Sequence, residues 1–141
     1  ELVRQKIRLV AKSIAAHTCL SFKENSTVGT QLQFHRGGGC WSFVGKGFSK
    51  NQKISIDRGC DTFGAIAHEI SHALGLGHTH SRKDRDDYVL VDIEDGDDRR
   101  NIINFEKLSD AGNDNFGVSY DFGSVMHYRA ERLIREQNIR A

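Results

Sequence analysis

Thirteen consecutive residues, His68-Glu69-Ile70-Ser71-His72-Ala73-Leu74-Gly75-Leu76-Gly77-His78-Thr79-His80, constrain this chain more than any other stretch. On a helix, residues four apart share a face, so His68 and His72 can direct two imidazoles at one point across neighbouring turns. Glu69 then falls off that line. It is placed to act as a general base toward an attacking water and not as a ligand. Gly75 lets the chain leave the helix with a positive φ, and the turn that follows can bring His78 round as a third nitrogen donor. Three protein ligands leave one position open, which marks a catalytic zinc site and not a structural one. The expected complement is one zinc ion held by His68, His72 and His78.

A chain of 141 residues is one domain or two tightly joined subdomains. Its 20 basic and 19 acidic residues nearly cancel, so no sequence-wide field recommends nucleic acid or an anionic membrane as partner. No apolar run reaches the length of a membrane-spanning helix, and the first residues, Glu1-Leu2-Val3-Arg4-Gln5-Lys6, do not read as a signal peptide. If the protein is secreted, the chain is expected to be a processed or excised piece. None of the three cysteines sits in a C-x-x-C pair, which disfavours a cysteine zinc site. Cys40 and Cys60 could close a loop of about twenty residues, worth on the order of 3 kcal/mol, leaving Cys19 unpaired. Three buried thiols in a cytosolic protein is the other reading. Asn25-Ser26-Thr27 is a glycosylation acceptor, with Asn25 as the modified residue, and it favours the oxidised, secreted alternative.

Along the chain, Val3, Ile7, Val10 and Ile14 recur at helical spacing between Arg4, Lys6, Arg8 and Lys12, predicting an amphipathic helix that ends near His17. Alternation from Cys19 to Lys23, with Leu20 and Phe22 on one side, predicts a strand, and Leu32 and Phe34 predict a second. Gly37-Gly38-Gly39 is followed by neither a Gly-Lys-Ser/Thr nor a helix pattern, so it does not cradle a phosphate. It reads as the approach to an exposed strand at Cys40-Trp41-Ser42-Phe43-Val44-Gly45, whose backbone could pair with an extended peptide; a plain edge strand is the alternative. Ile54-Ser55-Ile56-Asp57 predicts another strand, and Asp61 or Thr62 can cap the helix of the opening motif. Phe63, Ile66, Ala67, Ile70, Ala73 and Leu74 would supply that helix's buried faces.

The mixed charges of Ser81-Arg82-Lys83-Asp84-Arg85-Asp86-Asp87-Tyr88 read, taken alone, as a solvated loop. The acidic segment Asp92-Ile93-Glu94-Asp95-Gly96-Asp97-Asp98 fails as a calcium loop on register, because with Gly96 in the sixth position the first ligand would be Val91 and the last Ile102. Residues from Asn101 to Leu108 are expected to be a short helical or irregular piece.

His68-Glu69-x-x-His72-x-x-Gly75-x-x-His78, followed about fifty residues later by Ser124-Val125-Met126-His127-Tyr128, resembles the metzincin signature with its Met-turn. Four further stretches are similar to the astacin family: Thr18-Cys19-Leu20-Ser21-Phe22, Cys40 to Gly45, Arg82-Lys83-Asp84-Arg85-Asp86-Asp87-Tyr88-Val89, and Tyr120-Asp121-Phe122-Gly123. The resemblance runs from about residue 2 to Tyr128.

It implies an α+β, metzincin or zincin-like fold: a twisted mixed sheet with two main helices above a cleft, and a shortened, mostly irregular lower subdomain. Residues 1–78 would form the upper subdomain with the active-site helix, and 79–141 the lower one with the Met-turn. The implied activity is a zinc-dependent endopeptidase, secreted and extracellular, acting as a monomer on polypeptides without nucleic acid or membrane insertion. Glu69 would be the general base and Tyr128 would hydrogen-bond the developing oxyanion. Met126 would lie beneath the metal as packing. Trp41, Ser42 and Phe43 would line the rim where substrate backbone adds as a strand, and the family pairs the cysteine at Cys40 with that at Cys60. His17, His35, His80 and His127 match no ligand position and read as surface or supporting histidines.

Two departures qualify the resemblance. Where the family usually carries a glutamate after the third histidine, to receive a freed amino terminus, this chain has Thr79. After Tyr128 the family continues through the remainder of its lower subdomain, including the partner of the cysteine at Cys19, whereas Arg129 to Ala141 do not resemble that segment. Cys19 is therefore expected to be free, and a chain that binds zinc but cleaves weakly is the alternative to an active endopeptidase. A metal-free interaction module is the third reading, and it requires all three histidines to be ordinary polar residues.

Overall fold

A computed structural model describes residues 1–24, 31–47, 50–91, 102–109 and 113–129. By its internal contacts the chain divides into two compact units, Glu1–Leu76 and Gly77–Ala141. The glycosylation acceptor at Asn25 and the acidic segment Asp92–Asp98 lie outside the described residues.

The first unit opens with α1 (Leu2–His17), whose apolar stripe places Val10 in the core with Val3, Ile7 and Ile14 packed against it. Among the described residues the sheet has three strands: β1 (Gln31–His35), β2 (Cys40–Ser42) and β3 (Asn51–Ile56), in the order β1-β3-β2. β1 runs parallel to β3, and β2 antiparallel to it, so the sheet is mixed and β2 is an edge strand. β3, lying centrally, buries Gln52, Ile54, Ser55 and Ile56. α2 (Phe63–Ala73) is capped by Thr62, whose hydroxyl accepts from the amide of Ala65 at 3.1 Å. Ile66, Ile70 and Ala73 of α2 join Val10, Ile54, Ile56 and Cys60 in one core cluster. The described residues are α+β, with two α-helices and a small mixed sheet.

Two expectations are corrected here. Residues 18–23 form no strand: Leu20 and Phe22 are exposed, and the Thr18 hydroxyl instead donates to Ile14 O and accepts from Leu20 N, closing off the helix end. Alternation needs a ladder partner to become a strand, and among the described residues none pairs there. Phe63 is 53% exposed, because the first turn of α2 projects beyond the core that its later turns fill.

In the second unit the described backbone is irregular, with short 3-10 turns at Thr79–Ser81, Arg85–Asp87 and Ile103–Phe105. The charged stretch from Ser81 is not a solvated loop, since Ser81 and Arg85 are buried. Arg85 donates to the carbonyls of His80, at 3.0 Å, and Phe105. Arg82 donates to both carboxylate oxygens of Asp84 at 2.9 and 2.7 Å and to the carbonyls of Val118 and Ser119, while its guanidinium lies 5.3 Å from the Tyr120 ring centre. These two arginines satisfy backbone oxygens that no regular element would otherwise reach, which is why charge here is structural.

Candidate metal centre

α2 carries His68, Glu69 and His72, and its end is a complete Schellman motif. Gly75 N donates to His72 O at 2.9 Å and Leu76 N to Ser71 O at 3.0 Å, with Gly75 at φ 107°. Only glycine enters that region without strain, so the expected exit at Gly75 is observed. Leu76 O accepts from His72 Nδ1 at 2.8 Å. A carbonyl can only accept, so Nδ1 carries the proton and the ring's lone pair sits on Nε2. The helix end thereby selects the tautomer that a metal ligand requires.

His68 and His72 meet edge to face, their ring centres 4.5 Å apart. Along the continuous stretch 68–78, the potential ligand atoms of His68, His72 and His78 all lie within 4.8 Å of one another. Three imidazole nitrogen donors gathered so closely, with no acidic ligand among them, suit a borderline ion such as zinc. Beside them Glu69 is 4% exposed, and its Oε2 has no hydrogen-bond partner among the described residues. Burial raises its pKa to about 7. An unpartnered buried carboxylate next to clustered imidazoles is what remains where a cation and a reacting group belong, so the residues present fit zinc. Burial also lowers the pKa of His72, which favours its neutral, ligating form.

In the second unit, the His78 ring stacks on His80 at 4.8 Å and lies 4.6 Å from the Tyr128 ring. Thr79 N donates to Met126 O at 2.9 Å, and Met126 is 2% exposed. Its turn is held by Ser124, whose hydroxyl accepts from Met126 N at 3.1 Å. Tyr120 and His127 are joined at 2.8 Å between the phenol oxygen and Nε2.

In the first unit, Trp41 and Ser42 lie on edge strand β2 and Phe43 follows it, 70% exposed. Trp41 makes edge-to-face contacts with His35 and Phe43. Cys40 and Cys60 form a disulfide with Cα atoms 5.6 Å apart, and Cys19 is free and exposed. Gly45 N donates to His72 O at 2.8 Å, linking the segment after β2 to the histidine helix.

His80 matches no ligand position in the sequence, yet it is fully buried. Its two-residue offset from His78, beyond a helix, carries no periodicity that would reveal burial.

Fold and histidine cluster together are those of a metzincin-type zinc site. The profile of the peptidase family described as Astacin matches residues 1–140, and the chain belongs to that family. It is 44% identical over 131 residues to zinc metalloproteinase nas-37 of Caenorhabditis elegans, covering 93% of this chain and 17% of that protein. It is also 44% identical over 119 residues to blastula protease 10 of Paracentrotus lividus, covering 79% of this chain and 20% of that one. High choriolytic enzyme 1, a hatching enzyme zinc-protease from Oryzias latipes, superposes with a TM-score of 0.80 at 31% identity, over 89% of this chain and 61% of its own. Myroilysin, at 21% identity and a TM-score of 0.58, shares the fold. The chain thus spans about a fifth of the two metalloproteinases named and about three-fifths of the hatching enzyme's chain.

Proposed function

We propose that this chain is the zinc-binding catalytic portion of an extracellular endopeptidase, working as a single polypeptide on protein substrates. The observation that carries the reading is the approach of the ligand atoms of His68, His72 and His78 to within 4.8 Å, with Glu69 next to His68 in the chain, buried and its Oε2 without a partner among the described residues. His68, His72 and His78 would hold the metal. Zinc there would act as a Lewis acid, polarising the scissile carbonyl and making water a competent nucleophile near neutral pH.

Glu69 takes a proton from the attacking water and passes it to the leaving amine. Burial raises its carboxyl above the ordinary glutamate value, the direction needed by a group that must both accept and donate a proton. Tyr128 offers its phenol hydroxyl to the developing oxyanion. Met126 packs beneath the site. Trp41, Ser42 and Phe43, on and beside the sheet edge, receive the substrate backbone as an added antiparallel strand. Residues 1–78 thus supply the helix and the edge strand, and 79–141 the Met-turn and Tyr128. A disulfide between Cys40 and Cys60 suits an oxidising compartment, as do the extracellular substrates proposed.

The test is digestion of an unstructured protein by the purified chain, with and without chelator, beside Glu69→Gln. Chelator-sensitive cleavage lost in Glu69→Gln is expected. Equal turnover by both chains overturns the reading. Stoichiometric zinc without cleavage would select instead a zinc-binding chain of weak activity.

A further inference from the structure

His80 sits at the centre of the second unit's described residues with none of its surface exposed. Tyr128 N lies 3.3 Å from its Nδ1 and Asn104 O lies 3.1 Å from its Nε2. A backbone amide can only donate, so Nδ1 is the accepting nitrogen and Nε2 carries the proton donated to Asn104 O. One tautomer satisfies both partners. Two rings pack against it as well: His78 is stacked at 4.8 Å with planes 22° apart, and Tyr128 lies at 4.2 Å with planes 33° apart, the His78 and Tyr128 rings themselves being 4.6 Å from one another. Phe105 lies at 5.5 Å, and Arg85 secures the backbone by donating to His80 O.

We propose that His80 is a positioning residue with two separable actions: its ring face fixes the plane of His78, and its Nδ1 fixes the backbone of Tyr128. This rests on the proposed roles of His78 and Tyr128. The two actions use different properties of the side chain, planarity for one and hydrogen bonding for the other. A phenylalanine keeps the planar faces and loses both hydrogen bonds. A glutamine keeps an acceptor and a donor and loses the ring.

The experiment compares the full chain with His80→Phe and His80→Gln. It measures zinc affinity by competition with a chromogenic chelator, kcat and KM on an unstructured protein, and thermal unfolding of the metal-free protein. Expected for His80→Gln is zinc binding weakened about 10-fold or more, within the range typical for residues that orient a ligand from behind. Expected for His80→Phe is zinc affinity within about threefold of the wild type, with kcat about 10-fold lower and KM nearly unchanged. Wild-type zinc affinity in His80→Gln overturns the action on His78. Wild-type kcat in His80→Phe overturns the action on Tyr128. Lowered unfolding temperatures in both variants, with affinity and kcat intact, reduce His80 to a core residue. The zinc measurement needs no proteolysis, so a chain that binds zinc and cleaves nothing refutes the endopeptidase reading while the His78 half is still decided. Should one variant fail to fold, the other still decides its own half.

Discussion

The amide of Thr79 donates to the carbonyl of Met126 at 2.9 Å, so the residue next to His78 is tied to the turn that buries a methionine. The tie is backbone to backbone, and the threonine side chain is not part of it. Thr79→Ala should therefore cost less than about 1 kcal/mol, whereas Thr79→Pro removes the donor and should cost about 1–3 kcal/mol. Met126→Ala, emptying a buried site, should cost about 2–5 kcal/mol. Urea denaturation of the three variants checks the order.

Glu69→Gln keeps the shape of the buried side chain and removes its basicity. Zinc content should stay stoichiometric while turnover falls roughly 10²- to 10⁴-fold, the usual contribution of a positioned acid–base group. Metal analysis beside single-substrate kinetics reads both. Loss of zinc in this variant would make Glu69 part of the metal's support and not its base.

Asp84 predicts an acid limb in the stability profile. The hydrogen bonds from Arg82 hold its carboxyl below the ordinary carboxylate value. A depressed folded pKa contributes stability that is present above the unfolded value near 4 and lost as pH falls through the folded one. Below about pH 4 the Arg82 bridge to Val118 and Ser119 should loosen, at a cost of about 1 kcal/mol for this partly exposed pair. Asp84→Asn should lower stability at pH 7 and remove that part of the acid dependence, as followed by thermal unfolding between pH 2 and 7.

Reduction of Cys40–Cys60 should cost about 3 kcal/mol, the chain-entropy value for a loop of about twenty residues. Thiol titration of the unreduced protein should find one accessible group, Cys19. Unfolding with and without reductant, and the same for Cys40→Ala with Cys60→Ala, gives the difference directly.

Gly45 adopts φ 76°, and an added methyl would meet, among the described residues, only Gly75 Cα at 3.9 Å, an ordinary contact. The cost of Gly45→Ala is then conformational, about 1–2 kcal/mol, with no steric surcharge. A larger loss in denaturation would mean that the Gly45–His72 hydrogen bond breaks too.

Local periodicity made α1, α2, β1 and β3 legible, because each buries one face in the core that Ile54, Ile66 and Ile70 form. The turn at Gly75 was legible for a different reason: a glycine after a helix carries its own conformational requirement. Residues 19–23 misled because alternation was present and a ladder partner was not. The stretch from Ser81 to Tyr88 misled in the opposite direction. Arg82 and Arg85 look like solvent-seeking residues until the carbonyls of His80, Phe105, Val118 and Ser119 are placed around them, and these lie far off in the chain or in irregular backbone. His80 could be read only as a surface or supporting histidine on the same ground, since its burial depends on Phe105 and Tyr128.

The bond from Gly45 N to His72 O makes segment 43–45 a ruler between the sheet edge and the histidine helix. Side chains alternate along a strand, so a slip of one residue there would exchange the inward and outward sets of any peptide paired with β2. If this edge receives a substrate strand as proposed, its preference would be set through the identity of Trp41, Ser42 and Phe43. A single residue inserted between Ser42 and Gly45 would have to be absorbed as a bulge in that short link or by loss of the bond to His72, since the pairing of Cys40, Trp41 and Ser42 with β3 holds β2 in register.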